Sequence, residues 1–232
     1  KNDYTGGTTI TKGKVTLNTN ASLPATGPLS ILAADGQTAT FEVNTGVTGT
    51  TPNVASVGTV RMGGAGTASF PVISISSGQL MLSGNLTFEA ANSPATGLIT
   101  APGNLGSLVL SGSQTFFVQD VPFASPELRI DARITGGALV KRGMGTLELS
   151  NPGNNYAGGT SVNQGVLSVT SNSALPTSMP VVVESIGGEA MLRLNGTSQT
   201  VSALVLGGAT RGVGTYNAVD FGGGSLVLVA GG

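Results

Sequence analysis

The 232-residue sequence contains no cysteine, no histidine and no tryptophan. Without cysteine there are no disulfides and no thiolate metal sites, which is compatible with passage through an oxidising compartment. Without histidine, Ser-His-Asp and Cys-His catalysis and the usual zinc sites are excluded. Charged residues make up only 9% and the net charge is -1. No window holds a basic cluster, so neither nucleic acid nor an anionic membrane surface is an expected partner. No apolar run approaches the roughly 18 residues of a transmembrane helix, and no membrane insertion of this segment is expected. Helical heptads are missing as well.

What is present points to a folded β protein. Hydrophobic residues make up 39%, more than a disordered chain carries alongside so little charge. The 37 glycines follow no strict triplet, which excludes collagen. Leucines alternate at period two in Leu80/Leu82, Leu108/Leu110, Leu147/Leu149, Leu192/Leu194 and Leu226/Leu228, so each pair points to one face of a strand and reads as core-facing. Val15/Leu17, Ile73/Ile75, Leu128/Ile130 and Leu167/Val169 extend the series. Gly6-Gly7, Gly63-Gly64, Gly136-Gly137, Gly158-Gly159, Gly187-Gly188, Gly207-Gly208 and Gly222-Gly223-Gly224 fall between them as turn signals. Periodicity alone suits a β-sandwich nearly as well.

An internal repeat decides between them. Residues 143–150 read Gly-Met-Gly-Thr-Leu-Glu-Leu-Ser, and 154–169 read Asn-Asn-Tyr-Ala-Gly-Gly-Thr-Ser-Val-Asn-Gln-Gly-Val-Leu-Ser-Val. The second half recurs over Asn2–Leu17, and both copies run on to Asn-x-x-Leu-Pro, at Asn20–Pro24 and Asn172–Pro176. A unit that cannot bury its own apolar face must stack on its neighbours, so a solenoid is expected. The pattern resembles the autotransporter-associated β-strand repeat of bacterial surface proteins. That resemblance covers about a third of the chain and implies a right-handed parallel β-helix, secreted and displayed outside the cell. At roughly 22 to 26 residues per coil, 1–232 forms a single β-helix domain of about nine or ten coils, about 45 Å tall. Pro122 and Pro126 bracket a break, read as a loop leaving one coil.

Candidate chemistry is sparse. Arg129, Asp131 and Arg133 share one face of an alternating strand, opposite Ile130, Ala132 and Ile134, and a sugar-acid site would use such a face; mutual pairing on a solvent-facing strand is the expectation. No carboxylate pair for glycoside hydrolysis shows in the sequence, although distant coils would be able to bring two together. The Gly-rich stretches lack the following Asp of a calcium β-roll, and Gly212-Val213-Gly214 reads as a turn, so no metal, cofactor or catalytic residue is assigned. Tyr4 and Tyr156, equivalent in the two copies, are expected to cover the turn before Gly-Gly rather than stack on sugars.

The ends carry complementary halves of the repeat: Gly222–Val229 resembles 143–150, and Asn2–Leu17 supplies the other half. Neither end shows an amphipathic or charged covering segment. The chain is therefore read either as a segment of a longer tandem array or as a subunit that stacks end to end, with Tyr4, Thr8, Ile10, Leu226 and Leu228 at the interface. It begins with Lys1, which fits removal of a signal or excision from a longer chain. The expected function is an extracellular, non-enzymatic rod serving as stalk, adhesin passenger or filament subunit, with a surface glycan or host ligand as a partner. A carbohydrate-active β-helix enzyme is the alternative.

Overall fold

The computed structural model describes residues 4–19, 23–24, 26–48, 51–66, 68–91, 95–122, 124–217 and 225–228, with backbone alone for 47–48, 51, 91, 216–217 and 225–228. Strands pair in parallel over most of its length, and most strands pair with one a full coil away. On the first wall Thr8 lies over Leu29 and Leu29 over Val60. Further along, Leu139 lies over Thr160, Thr160 over Val181 and Val181 over Leu204. On the second wall Leu128 lies over Leu147, Leu147 over Leu167 and Leu167 over Leu192. A third wall is built in the middle of the chain, where Leu80 lies over Leu108 and Leu108 over Ile134. The long strands Phe70–Leu82, Gly106–Val118 and Arg133–Arg142 bend from one wall to another, with a register shift between Leu110 and Ser113. This is a parallel β-helix.

One apolar core runs through the coils. Leu147, Leu149, Leu167 and Val169 are all fully buried, as are Leu80, Leu82, Leu108 and Leu194. Leucine alternation thus identified inward positions on every wall whose side chains are described; the side chains of Leu226 and Leu228 lie outside the described residues. Coil length is less regular than expected. Gly143 donates to Gln164, 21 residues on, whereas Thr115 donates to Asn85, 30 residues back. The excess is taken up in corner loops and in the long strands of the third wall, with register shifts at Leu110/Ser113 and Val43/Asn44.

Glycine sets the corners. Gly7 and Gly159, equivalent in the two copies, have φ of 78° and 82°, a region that disfavours a side chain. A Cβ on either would also strike a proline of the next coil, Pro28 or Pro180, within 3.0 Å. The segment around Pro122 and Pro126 does not leave its coil: Val121 and Ala124 are buried and join the core.

Candidate functional site

The repeat motif builds a set of polar staples between coils. Asn154 is buried; its Oδ1 accepts from the Ile134 amide at 2.8 Å and its Nδ2 donates to the Ala174 carbonyl at 2.9 Å. One side chain therefore joins the coil before it to the coil after it. Tyr156 is fully buried and its hydroxyl lies 2.6 Å from Thr160 Oγ1, so this tyrosine covers the turn. Tyr4 makes the same contact with Thr8 at 2.5 Å but is 39% exposed. In the internal copy, the Ala157 and Gly158 amides donate to Gly136 and Gly137 of the preceding coil. That preceding coil is what covers Tyr156.

Lys141 was not singled out by sequence reasoning. It is fully buried, and its Nζ donates to the carbonyls of Arg142, Gly143 and Gln164 at 2.9, 2.6 and 3.0 Å. Gln164 extends the staple, accepting from the Gly143 amide and donating to the Gly187 carbonyl. Burial pushes the Lys141 ammonium down to about 7, with the Glu127 charge acting the other way. Glu127 is itself buried and accepts from the Thr146 amide at 2.6 Å and the Val121 amide at 3.4 Å. Its carboxyl is raised, chiefly by burial. The sequence signal was available, because a lysine flanked by apolar Leu139-Val140 sits at an inward position of the alternation.

On the outer surface, the expected Arg129–Asp131–Arg133 strand is broken by a corner. Leu128–Ile130 belongs to the second wall, and a new strand starts at Arg133. The inward residues Ile130, Ala132 and Ile134 are buried as expected. Arg129 Nε contacts Asp131 at 2.5 Å and Glu148 of the next coil at 3.5 Å. Ser150 donates to the same Asp131 oxygen. The stacking therefore brings together two carboxylates, Asp131 and Glu148, that the sequence separates, and places a guanidinium beside both. Glu148 is raised, first by burial. Among the described residues no group of three or more potential metal-ligating side chains occurs. A similar ladder on the same wall joins Lys14, Thr16 and Ser76 to Glu42.

The two ends differ. At the amino-terminal end, Thr8–Ile10 pairs only with Leu29–Ala33, and Gly13–Asn18 only with Thr38–Asn44, among the described residues. Ile10 is buried, Thr8 half-buried and the inward-pointing Val15 38% exposed. At the other end, strand Ser225–Leu228 pairs in parallel with Ser198–Val201 and antiparallel with Gly214–Asn217. Among the described residues both backbone edges of this strand are paired; the end-to-end junction through Leu226 and Leu228 stands as an expectation. On the first wall, Gly207 and Gly208, both at positive φ, reverse the chain so that Ala209–Thr210 runs back antiparallel on Val205–Leu206. On the second wall the final strand, Ala190–Arg193, pairs only with Gly165–Val169 among the described residues. Beside it lies a cleft of about 510 Å³ lined by Val183, Glu184, Ser185, Ala190, Met191, Leu192, Leu206 and Gly207.

A repeating coil with stapled corners defines a β-solenoid, and parts of the chain are similar to repeats of bacterial passenger proteins. Residues 1–17 and 139–169 match the family described as the passenger-associated-transport-repeat, the two segments in which the repeat was read. Over 133 residues the chain is 35% identical to the BmaC adhesin autotransporter of Brucella suis biovar 1 (strain 1330). That alignment covers 57% of this chain and 4% of the adhesin, so the chain spans a small fraction of the relative it matches. No solved structure matches.

Proposed function

We propose that this chain is a section of the passenger of a bacterial surface adhesin, a β-helical rod that holds binding surfaces away from the cell and does no covalent chemistry. What carries the reading is the coincidence of the stapled repeat with 139–169, one of the two segments matched to passenger repeats. The resemblance to an adhesin autotransporter supports a surface role outside the cell and a non-enzymatic character; the stalk role is supported by the geometry, since stacked coils make a rigid spacer.

One observation favours a second reading. Asp131 and Glu148 flank Arg129 on an accessible wall, and two carboxylates beside a cation are the raw material of glycan chemistry. Against it, the three side chains are paired to one another and Ser150 holds Asp131. Surface display of the chain on a non-adherent bacterium, scored for attachment to host cells, tests the adhesin reading. Attachment should rise with display and survive Asp131→Asn and Arg129→Ala. Glycan cleavage by the purified chain that either substitution abolishes would put the protein in the enzymatic class instead.

A further inference from the structure

We infer that the outer face of the first wall carries a binding site for a neutral oligosaccharide, seated in two recesses that meet at Arg61 and Glu89.

The recesses are a product of stacking register. On this wall Ser30, Arg61, Thr87 and Phe117 lie over one another in one column, and Leu32, Gly63 and Glu89 in the next. Gly63 leaves the second column without a side chain at its middle coil. A Cβ there would strike the Glu89 carbonyl oxygen, so the gap belongs to the fold. Beside it a recess of about 350 Å³ opens between Leu32, Arg61, Glu89 and Gln119, and another of about 350 Å³ lies between Ser30, Thr59, Arg61 and Thr87. Each falls within the roughly 300–1,000 Å³ of small-ligand clefts.

The polar groups of these recesses are unspent. Arg61 and Glu89 pair with each other at 3.1 Å and both remain well exposed. The side chains of Ser30, Thr59, Thr87 and Gln119 make no hydrogen bond among the described residues. The second wall differs. There Glu42 is held by Lys14, Thr16 and Ser76, and Asp131 by Arg129 and Ser150. Groups of the same kinds close on one another on that wall and stand open on this one.

Their chemistry selects the ligand. One cation and one anion line the recesses, so the site offers no net field to an acidic or a basic partner. It offers hydroxyls, an amide and a charge of each sign, which suit a ligand whose own groups both donate and accept, as sugar hydroxyls do. Phe117, next in the column and 38% exposed, presents a ring face to the C–H side of a sugar. From Ser30 to Phe117 the column crosses three strand spacings, about 14 Å at about 4.8 Å each, the reach of a short linear oligosaccharide. An extended peptide is disfavoured. Strands Leu29–Ala33, Val60–Ala65 and Leu86–Ala91 are each paired on both sides, leaving no backbone edge for strand addition.

The test uses the full chain and four probes: neutral hexasaccharides of maltose, cellulose and chitin type, and a heparin hexasaccharide as the charged comparison. Saturation-transfer NMR and calorimetry should show saturable binding of at least one neutral probe and weaker binding of heparin. Phe117→Ala and Gln119→Ala should each weaken the neutral probe about three- to tenfold, the loss of one stacking or hydrogen-bond contact. Thr40→Ala, on the second wall, should leave binding unchanged. Thermal melts matching the parent show that a variant is folded, and two variants in different positions keep the test available if one is not. Failure of all three neutral probes, preference for heparin, or binding indifferent to both Phe117→Ala and Gln119→Ala would overturn the inference. It rests on the adhesin reading only for where the sugar is met. Binding is measured without cells, so the site and the attachment role can fail separately.

Discussion

Gly6 and Gly158 hold the same position in the two repeat copies and meet different surroundings. A Cβ at Gly158 would come within 2.6 Å of Ala138 Cβ, whereas one at Gly6 would meet nothing within 4 Å. The difference is the preceding coil, present for one copy and absent from the described structure for the other. Gly158→Ala should therefore destabilise the fold by about 1–3 kcal/mol, the usual cost of overpacking. Gly6→Ala should stay within about 0.5 kcal/mol of the parent. Urea unfolding of the two variants measures both. A second residue-scale prediction concerns Lys141. With its ammonium pushed down to about 7, the unfolded chain binds the proton more tightly than the folded one between about pH 7 and the ordinary lysine value near 10.4. Folding stability contributed by this group should thus rise with pH across that window, by up to about 1.4 kcal/mol per pH unit. Below pH 7 both states are protonated and the slope vanishes. Subtracting the pH profile of Lys141→Met, measured by thermal melting, isolates the contribution; a flat difference would mean that the three carbonyl acceptors hold the charged form without penalty.

At the scale of the element, sequence alternation carried far because a parallel coil buries every second residue of each strand. The inward leucines on the described walls needed nothing more. Corners were harder to read: the chain bends between Ile130 and Arg133, a place where the alternation passes through without a break, so the strand seemed to continue. The Asp131–Glu148 pairing was equally invisible, since it depends on stacking register between coils and not on sequence spacing. Lys141 was readable and missed, because a charged residue at an inward position was given no partner in advance; its acceptors are backbone carbonyls, which no side-chain pattern announces. Two substitutions test the element-level picture. Leu147→Asp places a carboxylate in the core and should cost several kcal/mol, on the order of 3–5. Asn154→Ala leaves the Ile134 amide and the Ala174 carbonyl without their partner and should cost about 1–3 kcal/mol. Chemical denaturation with circular dichroism at the strand band reads both, and retention of full stability by Leu147→Asp would be incompatible with the core described.

For the whole molecule, the sequence showed complementary halves of the repeat at its two ends. It did not foretell the reversal at the glycine pair Gly207-Gly208, where Ala209–Thr210 runs back on Val205–Leu206. Coil length was also only partly legible, since corner loops and the bulges at Leu110/Ser113 and Val43/Asn44 absorb residues that no strand pattern announces. That unevenness has a mechanical meaning. In a stack of coils the inter-strand hydrogen bonds lie along the rod, so tension applied between its ends opens them one layer at a time, as a zipper rather than a sheared plate. Each opened layer pays out its own contour: a coil of 21 residues releases about 70 Å and one of 30 residues about 100 Å, at roughly 3.3–3.6 Å per residue. Pulled in an optical trap, the stack should lengthen in unequal steps, with the long steps coming from the coils between Leu29 and Arg129, and in flow it would act as a graded shock absorber.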